Sequence, residues 1–148
     1  MTSLAPAATA RSEGFQRKMV TLSVMMATTV VIIDMTIATI ALPHMQGGLS
    51  ASQDQVSWVM TTYFMMQAIT MSATGWLAGR LGRKWLYLAA LVGFAVCSIL
   101  SGTATSIEEI MIYRGLQGMF SAPVVPISQA LMLDAYTREK HAQAMSIW

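Results

Sequence analysis

Charge is what this sequence has least of. Only 11% of its 148 residues are Asp, Glu, Lys or Arg. A soluble domain carries roughly a quarter, so a water-facing surface of ordinary extent is excluded. Cysteine is nearly absent as well. The single Cys97 excludes an intrachain disulfide, leaves the redox compartment undetermined, and reads as a small apolar packing residue. Histidine is confined to His44 and His141. What fills the chain is apolar, 55% of it hydrophobic.

The nine basic residues are Arg11, Arg17, Lys18, Arg80, Arg83, Lys84, Arg114, Arg138 and Lys140. Between them lie stretches long enough to cross a bilayer, for which roughly 20 apolar residues suffice. Four such stretches predict transmembrane helices over residues 19–43, 56–78, 85–103 and 107–133. The last is long enough that one end protrudes or the helix is tilted or bent, and Pro123 and Pro126 remove two backbone donors within it. The first is too long for the core of a cleaved signal peptide and is interrupted by Asp34, so it reads as retained. Residues 1–18 read as a disordered tail, and residues 19–148 as part of an all-α polytopic membrane bundle.

Alternate connections fall on opposite sides of the membrane. The tail, the 79–84 turn and the 134–143 segment share one side and hold eight of the nine basic residues. That bias predicts a cytoplasmic N-terminus. From about residue 144 the sequence turns apolar again, and a helix cannot stop five residues into lipid without leaving backbone groups unsatisfied. The expectation is a fifth helix, and a chain that is the N-terminal part of a larger protein.

Only Asp34 and Arg114 lie well inside the predicted spans. Each costs at least about 2.5–3.5 kcal/mol on insertion scales, which makes it a functional candidate. Asp34 is nine residues from Pro43 and Arg114 seven from Ile107, so helix rise puts them about 13 Å and about 10 Å from the same membrane face. Two readings fit: a carboxylate whose proton occupancy is set by burial against a nearby arginine, or a permanently ionised structural pair. An apolar pair would usually stabilise as well, which favours function.

Polar residues accompany each charge at helical spacing: Arg114, Gln117, Ser121 and Ser128 in the fourth span, and Tyr63, Gln67, Met71 and Thr74 in the second. These faces line a water-filled path or hydrogen-bond to each other. Gly93, Cys97 and Ser101 in the third span, and Gly118 and Ala122 in the fourth, form small-residue faces suited to close helix packing. The Met-rich second span (Met60, Met65, Met66, Met71) has no Cys or His companion, so it reads as flexible apolar wall and not as a metal site.

Several motifs resemble those of the major facilitator superfamily. Gly75-Trp-Leu-Ala-Gly79-Arg80-Leu-Gly82-Arg83-Lys84 is similar to its loop between helices two and three. Gly75 would permit close helix approach, Gly82 the turn, and the basic residues anchorage at the cytoplasmic face; Gly79 stands where the family usually has an acid. Asp34-Met-Thr-Ile-Ala-Thr39-Ile-Ala-Leu-Pro43 resembles the first-helix motif of the fourteen-span drug:proton antiporters (the EmrB/QacA type), with Thr39 for the usual asparagine. Arg114-Gly-Leu-Gln117-Gly118, with Pro126, resembles their fourth-helix motif, and Trp58 and Tyr63 fit their second helix.

The resemblance implies a proton-coupled transporter exporting drugs across the inner membrane. Asp34 and Arg114 would couple the proton, and Tyr63, Gln67, Met71, Thr74, Gln117 and Ser121 would line the substrate cavity. Implied partners are a small-molecule substrate, protons and lipid, with a periplasmic adaptor protein admitted and no nucleic acid. No cofactor is implied. A non-transporting four-helix membrane module is the alternative. An enzyme is not expected, because His44 and His141 fall on opposite sides of the membrane and no nucleophile–base spacing stands out.

Overall fold

A computed structural model describes the backbone of residues 5–48, 52–136 and 141–147, and the side chains of 17–40, 52, 54–136, 141–142 and 145–146. These residues form helices α1 (Ala5–Gly48), α2 (Gln53–Leu81), α3 (Arg83–Thr103), α4 (Ile107–Ser121), α5 (Val124–Ala135) and α6 (His141–Ile147). Three stretches are long and apolar enough to cross a membrane: Arg17–Ile40 of α1, Arg83–Thr103 (α3), and Ile107–Ala135, which joins α4 to α5. α2, expected as a span over residues 56–78, has ample length at 29 residues. Gln55, Ser57, Thr61, Thr62, Gln67, Thr70, Ser72 and Thr74 lower its apolar character, so it is not among those three.

The helix boundaries follow local chemistry. Ser52 caps α2 through a reciprocal pair: its hydroxyl accepts the Gln55 N–H at 3.3 Å, and the Gln55 side chain accepts the Ser52 N–H at 3.0 Å. Ser106 caps α4 by accepting the Glu109 N–H at 3.2 Å. Gly82 alone separates α2 from α3, at φ 82° and ψ 142°, a conformation costly for any residue with a Cβ. The last stretch, where a bend was one expectation, is interrupted: α4 ends at Ser121 and α5 starts at Val124, around Pro123. Pro126 falls in the first turn of α5, where a missing N–H costs no helical bond.

Two departures concern the ends of the spans. The tail expected over residues 1–18 is helical from Ala5 onward, a correction explained by Ala5, Ala7, Ala8 and Ala10, the strongest helix formers, with Pro6 tolerated in the first turn. Residues 1–4 of that tail lie outside the described residues, as do the side chains of Arg11, His44, Arg138 and Lys140. The new helix expected from about residue 144 starts at His141.

The core sits between α1, α3 and the α5 segment, built from Val24, Val31, Leu86, Phe94, Val124, Ile127 and Met132. The most extensive packing is α2 on α4. It depends on Gly115 and Gly118, where an added Cβ would run into Thr62 and into the Tyr63 backbone, respectively. Gly93 of α3 likewise accepts the Phe120 ring where a Cβ would stand. These are close approaches of the small-residue kind. Outward faces carry Leu22, Met26, Val30, Ile33 and Ile37 on α1 and Val92, Val96 and Ile99 on α3, the surface a bilayer requires.

Candidate functional site

The depth match between Asp34 and Arg114 is realised as a direct ion pair. Arg114 Nη1 donates to Asp34 Oδ2 at 2.7 Å, bridging α4 and α1. Both side chains are largely withdrawn from solvent, Asp34 to 14% and Arg114 to 9% exposure. A third residue, not anticipated from the sequence, completes the carboxylate's surroundings: Ser98 of α3 donates to Oδ1 at 3.4 Å. Arg114 Nε is buried and has no hydrogen-bond partner among the described residues.

Two helical turns further along α4, at Ser121, the two polar stripes meet each other. Tyr63 O–H donates to Ser121 Oγ at 2.9 Å and Gln67 Nε2 donates to the same oxygen at 3.2 Å. Ser121 passes its own proton to the Gly118 carbonyl at 2.8 Å. Its hydroxyl is thereby saturated as acceptor and donor. Gln117, between this node and Arg114, has 0% exposure, and neither its amide nitrogen nor its amide oxygen has a partner among the described residues. The gap bounded by Met35, Ala38, Met60, Tyr63 and Arg114 is too small for a water molecule.

Met71 and Thr74 are not brought to this node. They line an open groove of about 440 Å³ between α2 and α5, together with Gly75, Gly79, Arg83 and Pro126. Thr74 is buried and bonds its own helix, to the Thr70 carbonyl at 2.9 Å, while Met71 is exposed.

At the basic end, Arg83 Nη1 reaches Asp134 Oδ2 at 2.6 Å, with both side chains about half exposed. Arg80 lies over the Trp76 ring at 5.2 Å, and Lys84 is exposed. Gly82 makes the expected turn. Gly75 departs from expectation: no heavy atom lies within 4 Å of where its Cβ would stand, and the same holds for Gly79. Both open onto the groove instead of pressing on a neighbouring helix. Tyr136 ties this end to α1, receiving Arg17 over its ring at 5.5 Å and sharing a 3.1 Å hydrogen bond with Thr21. Its carbonyl lies 3.0 Å from His141 Nε2.

Sequence reasoning missed Ser98, Asp134 and Tyr136. Asp134 and Tyr136 lie where the positive-inside count had already gathered Arg17 and Arg83, so charge complementarity across that end was an available signal. Ser98 offered none, being one of several small residues on α3.

Comparison with known proteins bears on this arrangement. The family model described as Major Facilitator Superfamily matches residues 24–148. The multidrug export protein EmrB of Haemophilus influenzae is 41% identical over 130 residues, which is 88% of this chain and 26% of that protein. EmrB of Escherichia coli K12 is 35% identical over 136 residues, 92% of this chain and 27% of the relative. The fatty acid resistance protein FarB of Neisseria gonorrhoeae is 36% identical over 129 residues, 87% and 25%. The chain thus spans about a quarter of the length of these relatives.

Proposed function

Since the chain belongs to the Major Facilitator Superfamily and is part of a multi-pass membrane protein, we propose that it contributes the first three-helix repeat and the opening of the second, inverted one to a proton-coupled drug exporter. Asp34 takes and releases the proton. Arg114 supplies the fixed positive charge beside that carboxylate, 2.7 Å from Oδ2. Tyr63, Gln67, Gln117 and Ser121 form the polar wall beside that pair, and Met71 and Thr74 form the wall nearer the basic end.

The observation that carries this reading is the Asp34–Arg114 pair, 2.7 Å apart and buried between two membrane-long helices. A buried pair of this kind stabilises no better than apolar residues would. Relatives named for multidrug export and fatty acid resistance support amphipathic substrates, which Met-rich walls suit. The basic end, with Arg17, Arg80, Arg83 and Lys84, faces the cytoplasm on the positive-inside rule, in the inner membrane. A periplasmic adaptor protein would join at the opposite end.

The test uses the protein expressed from its intact gene. Efflux of ethidium driven by a pH gradient is measured in everted membrane vesicles. Asp34→Asn and Arg114→Ala each abolish gradient-driven efflux while leaving the protein in the membrane. Wild-type transport in both variants overturns the assignment.

A further inference from the structure

The two oxygens of the Asp34 carboxylate are not equivalent. Oδ2 accepts from Arg114 at 2.7 Å, whereas the only partner of Oδ1 among the described residues is the Ser98 hydroxyl at 3.4 Å. Ser98 also lines an apolar groove of about 470 Å³ between α1 and α3, walled by Met26, Val30, Phe94 and Ile99. Among the described residues it is therefore the hydroxyl that both contacts Oδ1 and borders this groove. We infer that Ser98 is a positioning residue of the proton site: it holds Oδ1 as the oxygen that takes up the proton while Oδ2 stays on Arg114. This rests on the reading that Asp34 carries the proton.

A hydroxyl suits the task because it both donates and accepts. With Asp34 ionised, the Ser98 O–H points at Oδ1. On uptake, a hydronium ion at the carboxylate gives up one O–H bond as the Oδ1–H bond forms, water is left behind, and the carboxyl passes from one negative charge to none. The new O–H then donates to Ser98 Oγ. The serine's own hydrogen turns to a carbonyl one turn back on α3, a bond that helical serines readily make. Release reverses each step. The 3.4 Å separation is longer than the roughly 2.5–3.0 Å such bonds prefer, which leaves room for tightening in either state.

Few other groups compete at this position. α4 presents Arg114, and α2 presents Tyr63, which borders the same gap as Arg114. α3 carries the buried Cys97 thiol beside Ser98. α1 has no other charged side chain between Met19 and Ile40, and α5 no titratable one between Val124 and Leu133.

Ser98→Ala, Ser98→Cys, Ser98→Thr and Asp34→Asn are introduced into the protein expressed from its intact gene. Gradient-driven ethidium efflux is then followed in everted vesicles across the pH range in which the wild type is active. Ser98→Ala removes a donor that favours the carboxylate, so the half-maximal pH of transport rises by about half to one unit, with no change in the apparent affinity for ethidium. Ser98→Cys, a weaker donor of similar size, gives a smaller rise in the same direction and stands in should the alanine variant fail to fold. Ser98→Thr retains the hydroxyl and restores the wild-type profile. A wild-type profile in Ser98→Ala and Ser98→Cys overturns the inference, as does a shift that Ser98→Thr fails to reverse. If Asp34→Asn transports like wild type, the proton-site reading itself falls. If Asp34→Asn is inactive and the Ser98 profiles do not move, only the role of Ser98 falls.

Discussion

Replacing Gly118 by alanine tests the packing that holds the polar node together. A methyl at that position would lie 2.9 Å from the Tyr63 carbonyl carbon, 3.1 Å from Tyr63 Cα, and closer still to the carbonyl oxygen. Carbon atoms rest at about 3.5–4.0 Å, and the obstacle is backbone, so no side chain can turn away to make room. α2 must retreat from α4 by roughly 1 Å. That retreat stretches the 2.9 Å Tyr63–Ser121 hydrogen bond beyond bonding range in a buried setting. Overpacking of about 1–3 kcal/mol and a lost buried hydrogen bond of about 1–3 kcal/mol outweigh the gain of about 0.5–1 kcal/mol in helix propensity. The net expectation is a loss of about 2–4 kcal/mol. Gly102→Ala is the matched control, because no heavy atom lies within 4 Å of its Cβ position, and its effect stays within about 0.5 kcal/mol. Both are measured by unfolding in mixed detergent micelles, followed by tryptophan fluorescence. Equal stability of Gly118→Ala and wild type, or an equal loss in Gly102→Ala, refutes the reasoning.

Two further outcomes follow from single features of the structure. Asp34→Asn leaves the Arg114 guanidinium buried without its counter-charge and lowers stability by about 3–5 kcal/mol. Arg114→Gln costs less, because a carboxylate can be neutralised by a proton and a guanidinium cannot; the double variant recovers most of the loss, and additive effects in a thermal-unfolding cycle would contradict the pair. Gly82→Ala lowers stability, read from thermal unfolding, through backbone strain alone, by about 1–3 kcal/mol, since no atom crowds its Cβ position. Gly82→Asn should be no better tolerated, because ψ 142° lies outside the left-handed helical region that asparagine accepts.

What could be read from the residues in advance was whatever the bilayer penalises. Asp34 and Arg114 stood out because a charge in an apolar run is costly, and equal depth from one membrane face was enough to pair them. Pro123 and Gly82 were legible for a similar reason, since each imposes its backbone geometry whatever surrounds it. Ser98 was not, because a hydroxyl can satisfy itself on its own helix and its spacing carries no sign of a distant partner. The Tyr63–Gln67–Met71–Thr74 stripe was read as one surface, yet its two halves meet different elements, α4 and the α5 segment beyond the break at Pro123. Tyr63 and Gln67 then meet Ser121, while Met71 and Thr74 face the groove beside Pro126. The helix over residues 5–18 escaped notice because a polar, alanine-rich segment carries no apolar periodicity, though its propensity favours helix.

The distribution of unsatisfied polar groups argues against a purely structural role for this part of the bundle. α4 carries Arg114, Gln117 and Ser121 on one buried face. Of these, Ser121 is saturated, while among the described residues Arg114 Nε and both Gln117 side-chain amide atoms have no partner. Each buried polar group without a partner costs about 1–3 kcal/mol, and apolar side chains of similar volume would incur none of it. Close packing against α2 is already secured by Gly115 and Gly118, so helix association does not require the polar residues. Local rules of stability are broken on this face and followed on the Val24–Phe94–Met132 side, and such breaches concentrate where a protein handles charge or ligand. The breach adjoins Asp34, the one carboxylate inside the membrane-long stretch of α1.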